Sequence, residues 1–202
     1  VSMREFGSAI ILAGGKSSRM GFDKQLLYIR ERKLMDNLIN KLKPIFDDII
    51  IVTNKPEYYC LLVHSITEDI IPNGGPLGGI HAGLSIASSK YSYVIACDMP
   101  NVNQEYIHFM KDILKESKKQ GCVSMYGDYI EPFNSFYSRE LIQPIEEFLS
   151  KDQRAVHRFL KDKDIVSIPE KRVREFSPDW DMFFNLNTRE DVNTYLKKES
   201  GF

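Results

Sequence analysis

Residues 9–27 read AIILAGGKSSRMGFDKQLL. The apolar run Ala9–Ala13 stops at Gly14-Gly15, and two lysines, two serines, an arginine and an aspartate follow before the next apolar pair. A short apolar, β-branched run reads as a buried strand, and the glycine pair reads as a turn out of it. The turn resembles two phosphate loops and matches neither. Gly15-Lys16-Ser17 imitates the end of a P-loop, but the glycine a P-loop needs five residues earlier is Ile10, inside the strand. The dinucleotide fingerprint fails as well, because Ser17 stands where its second glycine belongs. What remains is a glycine-rich cationic turn. Gly14 and Gly15 let backbone N–H groups approach anionic oxygens, Arg19 can fork two of them, and Lys24 can supply a point charge. Lys16 reads as solvated.

Working outward, three more runs repeat the buried-strand signature: IIIVT (49–53), YVIAC (93–97) and CVSMY (122–126). Helical patterns lie between them. Leu34, Leu38 and Leu42 recur at i+4, and Asn103 is placed to cap a helix that presents Ile107, Met110, Ile113 and Leu114 and ends at Gly121. YIEPFNSFYS (129–138) reads as an edge or antiparallel strand because of Pro132. Basic helices to about 161, a short IVSI strand and a last helix capped by Thr188 complete the chain. Alternating strands and helices predict an α/β fold: a single-domain, Rossmann-like, doubly wound, mostly parallel sheet with helices on both faces. The domain is expected to span 3–202. Val1-Ser2, ahead of Met3, read as a cloning remnant and are set aside.

Bulk composition restricts the partners. The 202 residues carry a net charge of −1, which marks the chain as neither a nucleic-acid nor a membrane-surface binder. Cys60, Cys97 and Cys122 are widely spaced and form no metal or disulfide pattern. No apolar run reaches membrane-spanning length and no signal-peptide pattern precedes the first strand, so the expectation is a cytoplasmic protein.

Ligands of open α/β sheets bind at the carboxyl ends of the strands. Polar clusters follow the first three runs there: Gly14–Lys24, Thr53-Asn54 and Asp98. EDIIPNGGPLGGIHAGL (68–84) precedes another helix, its glycines making a tight turn. A lone carboxylate at a strand end, such as Asp98, suits Mg²⁺, which takes oxygen ligands and shares itself with substrate phosphates. The plainer reading of Asp98 is a helix cap, and that of Asp69 a loop acid.

These blocks together resemble the molybdenum cofactor guanylyltransferases, the MobA family. LAGGKSSRMGFDK (12–24) is similar to their signature L-A-G-G-x-S-x-R-M-G-x-D-K, EDIIPNGGPLGGI (68–80) to their acidic residue followed by G-P-L-x-G, CDMP (97–100) to their C-D-x-P, and NLNTREDV (185–192) to their N-x-N-T-x-E-[DE]-[LV]. The resemblance implies a Rossmann-like nucleotidyltransferase in which the terminal phosphate of Mo-molybdopterin attacks the α-phosphorus of GTP and pyrophosphate leaves. It implies catalytic roles for Arg19, Lys24 and Asp98, with Asp98 on Mg²⁺ or Mn²⁺. Leu12, Ala13, Gly14, Gly15, Lys24, Asn54, Asp69, Gly75, Pro76 and Asp98 would bind nucleotide. Asn134, Asn185 and Asn187 would face the molybdopterin. Molybdopterin-supplying proteins and recipient molybdoenzymes would be transient partners. The chain departs from the pattern at Glu131-Pro132, where the family usually carries His-Pro. Gly14-Gly15 favour GTP. The alternatives are a relative using CTP or another nucleotide with a pterin, sugar or alcohol phosphate, and an inactive pterin carrier.

Overall fold

The computed structural model of the chain describes residues 3–13, 24–59 and 65–199. Strand β1 (Arg4–Leu12) explains the layering. Its last four residues are all buried, and alternation sends Ala9 and Ile11 to one apolar cluster and Ile10 and Leu12 to the other. The strand therefore needs helices on both faces. Helix α1 (Lys24–Leu42) contributes Met35, Leu38 and Leu42 to the first cluster, which confirms the i+4 leucine pattern. After β2 (Asp48–Val52) and β3 (Ser65–Thr67), helix α2 (Gly75–Ile86) covers the second face with Leu77, Ile80 and Leu84. It lies close to the sheet: a Cβ on Gly83 would stand 2.5 Å from Ile10 Cγ2.

Strand β4 (Ser89–Ala96) pairs parallel to β1, and helix α3 (Gln104–Ser117) follows it. The Asn103 cap is confirmed, its side chain accepting the Tyr106 N–H. The helix ends earlier than expected. Lys118 takes the left-handed terminating conformation (φ 57), whereas Gly121 opens β5 (Gly121–Tyr126). Strand β6 (Tyr129–Ser138) turns back, helices α4 (Ile142–Ser150) and α5 (Val156–Leu160) cross the second face, and β7 (Val166–Ile168) joins β5. Two short helices, one of them without a basic residue, replace the basic helical stretch expected here. Helix α6 (Glu170–Val173) and helix α7 (Arg189–Glu199) finish the chain.

The strands form one seven-stranded sheet in the order β3-β2-β1-β4-β6-β5-β7, and β6 alone runs against the others. The mostly parallel, doubly wound expectation holds, and β6 is antiparallel as Pro132 suggested. It is not an edge strand: it lies between β4 and β5. Proline is tolerated there because the ladder opens around it. Cys122 faces Phe136 and Ser124 faces Glu131, so four residues of β6, Pro132–Ser135, stand against Val123 alone. Tyr137 donates its hydroxyl to the Pro132 carbonyl, and Asn134 takes φ 53 in this excursion. Helix α3 shares the α1 face although β4 to β5 runs the other way along the sheet, so this crossover has the opposite hand to that of α1.

Candidate active site

Parallel register brings the strand ends level. Leu12 pairs with both Val52 and Ala96, and Val52 with Thr67. The next residues stitch this edge together: Ala13 N–H donates to Val52 O (2.8 Å), Cys97 N–H to Leu12 O (3.0 Å) and Thr53 N–H to Thr67 O (2.9 Å). Leu12, Ala13, Asn54, Asp69 and Asp98, scattered over 86 positions of sequence, thus leave the sheet along one carboxyl edge. The N-terminus of α2 meets the same edge. A Cβ on Gly79 would lie 3.1 Å from Leu12 Cδ2 and 3.7 Å from Asp69 Oδ1.

Within the glycine-rich stretch 68–84 the turn lies at Pro72-Asn73, and Gly75, Gly78 and Gly79, expected in the turn, are already in helix α2. Gly74 is buried, while Gly75 (φ 60) and Pro76 are exposed at the entry. The left-handed angle at Gly75 is one that glycine adopts freely. Gly14, Gly15, Lys16 and Arg19 lie outside the described residues, as does the side chain of Lys24 at the start of α1.

Asp69 and Asp98 are both half-buried, and burial pushes both carboxyls up from their ordinary values. A hydrogen bond from its own backbone opposes the shift at Asp98. Asp98 makes no ion pair among the described residues, and no group of three or more His, Cys, Asp or Glu side chains there could hold a metal alone. That donor set fits a hard divalent ion that keeps its waters and completes its shell on a substrate. A bound cation would also favour the ionised form that burial opposes.

The final segment docks against this carboxylate's own backbone: Leu186 N–H donates to Asp98 O at 2.9 Å. Asn185 and Asn187 flank that tie and line a groove of about 270 Å³ with Asp179, Trp180, Phe183 and Phe184. Thr188 and Asp191 close a reciprocal cap on α7, each side chain accepting the other's backbone N–H (3.1 and 2.8 Å), which confirms the expected Thr188 cap. Asn134 is placed differently. It is 1% exposed, its Oδ1 accepts the Tyr93 hydroxyl and its Nδ2 donates to the Met182 carbonyl. Its amide ties Met182, which stands between the groove-lining Asp181 and Phe183, to Tyr93 of β4, and Asn134 does not line the groove.

One cluster had no signal in residue spacing. Glu131 sits half-buried beside the Trp180 indole, whose N–H holds its carboxyl down against the larger upward push of burial. Trp180 adopts a left-handed conformation (φ 64), stacks on Phe183 at 4.7 Å and lies under the Arg174 guanidinium at 5.3 Å. Arg174 in turn holds Glu170 and the Pro178 carbonyl. The Glu131-Pro132 departure was the only hint of this arrangement. His81 is a packing residue, 3% exposed, with Nε2 2.8 Å from Glu146 of α4. Arg154, Arg158 and Lys161 are exposed.

Comparison with known proteins agrees with this geometry. The MobA-like NTP transferase domain matches residues 9–167. A protein of Peptoclostridium acidaminophilum named "Probable molybdenum cofactor guanylyltransferase" is 51% identical over 94% of this chain and 88% of its own length. The molybdenum cofactor guanylyltransferase of Syntrophotalea carbinolica is 48% identical over 98% of this chain and 94% of its own. The crystal structure of molybdopterin-guanine dinucleotide biosynthesis protein A from Archaeoglobus fulgidus superposes with a TM-score of 0.78, at 21% identity, covering 96% of this chain and 100% of that one. The chain belongs to the MobA-like NTP transferase family, and within it to the molybdenum cofactor guanylyltransferases.

Proposed function

We propose that this protein transfers GMP from GTP to the terminal phosphate of Mo-molybdopterin, giving the guanine dinucleotide cofactor and pyrophosphate. The observation that supports the reading most is the hydrogen bond from the Leu186 N–H to the Asp98 backbone carbonyl, which holds the chain between Asn185 and Asn187 against the end of β4. A two-substrate transfer needs this adjacency of acceptor and reacting phosphate. The close identity to named guanylyltransferases over nearly the whole chain supports the same reading.

In this mechanism the carboxyl edge holds the nucleotide. Leu12 and Ala13 of β1, Asn54 after β2, Asp69, and Gly75-Pro76 at the entry of α2 form its bed, together with Gly14, Gly15, Arg19 and Lys24. Asp98 holds the divalent ion, Mg²⁺ or Mn²⁺, which when bound neutralises phosphate charge. Arg19 and Lys24 stabilise the charge that grows on the leaving pyrophosphate. No side chain is needed to deprotonate the nucleophile, because a phosphomonoester with a second pKa of about 6 is already largely ionised at neutral pH. Asn185 and Asn187 orient the acceptor. Residues 3–202 act as one nucleotidyltransferase domain.

No described helix is long and apolar enough to cross a membrane. We place the reaction in the cytoplasm, with molybdopterin-supplying proteins and molybdoenzymes as transient partners and no role for nucleic acid. The test is to incubate purified protein, Mg²⁺ and molybdopterin with each of four nucleoside triphosphates and identify the dinucleotide. GTP alone should yield product. Preferential use of CTP overturns the nucleotide assignment.

A further inference from the structure

The groove lined by Asn185 and Asn187 contains one aromatic ring whose exposure the fold does not account for. Between Phe176 and Asn187 the chain carries four aromatic residues. Phe176 stacks on Phe109 at 4.9 Å, and Trp180 and Phe183 stack on each other. Phe184 makes no ring contact among the described residues and is 52% exposed, although its neighbour Phe183 is 6% exposed. A single exposed apolar side chain is ordinary on a protein surface. Phe184 differs because it lines a groove, stands one residue from Asn185, and is two residues from the Leu186–Asp98 tie.

The groove's other lining residues specify what a ring there would meet. Asn185 and Asn187 offer both donors and acceptors, and Asp179 and Asp181 offer acceptors only. An aromatic face with an acceptor-rich rim suits a planar heterocycle whose edge carries several N–H groups. The same carboxylates repel a phosphate, so the anionic end of such a ligand points away from them, towards the strand ends. The wall is rigid. Arg174 holds the Pro178 carbonyl and covers Trp180, Asn134 fixes Met182, and the Phe184 N–H donates to Asp181 O at 3.1 Å.

We infer that Phe184 is a specificity-determining residue for the acceptor: its ring stacks on the flat pterin of the second substrate, and Asp179 and Asp181 receive the N–H groups of the pterin's amino-oxo edge. The inference rests on the reading of the reaction given above. It adds a residue and an orientation, with the heterocycle on Phe184 and the phosphate towards Asp98.

Phe184 is exposed, so its replacement leaves the core intact. Phe184→Ala, Phe184→Leu and Phe184→Tyr are compared with the unaltered protein in three measurements: binding of neopterin monophosphate, followed by the fluorescence of Trp180, the only tryptophan in the chain; binding of Mg·GTP by thermal shift; and KM for molybdopterin at saturating GTP. The Ala and Leu variants should each lose about tenfold or more in neopterin monophosphate affinity and show a molybdopterin KM raised by a similar factor, the scale of one lost stacking ring. Tyr should restore both, and GTP binding should stay unchanged. Leu matching Phe, an unaltered molybdopterin KM in the Ala variant, or a parallel loss of GTP binding each overturns the inference. If the unaltered protein makes no dinucleotide but its pterin binding still depends on Phe184, the subsite stands and the proposed reaction falls. If it makes dinucleotide with a molybdopterin KM indifferent to Phe184, the reverse holds.

Discussion

Asn134 offers the sharpest separation of a structural role from a substrate contact. Resemblance places it on the molybdopterin side, whereas the structure buries it and engages its amide with the Tyr93 hydroxyl and the Met182 carbonyl. Asn134→Ala leaves both partners without their bond. Each stranded buried polar group costs about 1–3 kcal/mol. Alanine at φ 53 adds about 1–2 kcal/mol, because a Cβ is disfavoured in the left-handed region. The low end of these costs is about 3 kcal/mol, and for a chain of this size each kcal/mol moves Tm by about 2–4 °C, so a fall of about 6–12 °C is expected. Asn134→Gly keeps the backbone angle without strain and should lose about 1 kcal/mol less. Tyr93→Phe, alone and combined with Asn134→Ala, gives a double-mutant cycle in which the two losses are not additive. Scanning calorimetry and the KM for molybdopterin are measured on the same preparations. An Asn134→Ala protein that melts within about 2 °C of the unaltered one yet binds molybdopterin poorly refutes the packing role and restores a direct contact.

Three further outcomes follow from the geometry. Asp98→Asn should lose about 100-fold or more in pyrophosphate release while remaining folded. Burial raises the Asp98 carboxyl in the folded state, so its contribution to stability is complete below the ordinary aspartate range and is lost as pH rises through the folded value. Asp98→Asn should therefore melt at or above the unaltered protein at neutral pH, and the two should converge on acidification; a variant that melts lower at neutral pH contradicts the burial argument. Gly83→Ala should cost about 1–3 kcal/mol by overpacking, measured by urea unfolding, and its combination with Ile10→Ala, which by itself empties a core position, should lose less than the sum of the two single losses, since the clash is with the Ile10 side chain. Thr188→Ala should cost about 1 kcal/mol by opening the reciprocal cap with Asp191, and urea unfolding that shows no loss means the cap does not hold α7.

Much of the frame was legible in the sequence. Residues 9–13, 49–53 and 93–97 read as buried parallel strands because β-branched apolar residues in short runs fit a sheet covered on both faces. The structure places them in β1, β2 and β4 within a residue or a few. Asn103 and Thr188 were readable as caps because capping is a contact within three residues. The strand ends were readable as a ligand edge because parallel topology delivers them together.

Only the tertiary structure decided the rest. Pro132 marked a strand that cannot pair along its whole length, but whether that strand lay at an edge or inside a bulge depended on what β4 and β5 left open beside it. Nothing in the spacing separates a buried Asn134 from an exposed Asn187, because each stands between an apolar residue and a hydroxyl residue, Phe133 and Ser135 in one case and Leu186 and Thr188 in the other. Their difference comes from Tyr93, 41 positions away, and Met182, 48 positions away. The Glu131–Trp180–Arg174 cluster and the bare ring of Phe184 likewise arise from where the 174–187 segment crosses β6. Periodicity and short motifs record forces between neighbours in the chain, so the sequence alone determined the layers and the ligand edge. Which polar groups face the ligand and which face each other is settled by long-range packing, and that appears only once the chain has folded.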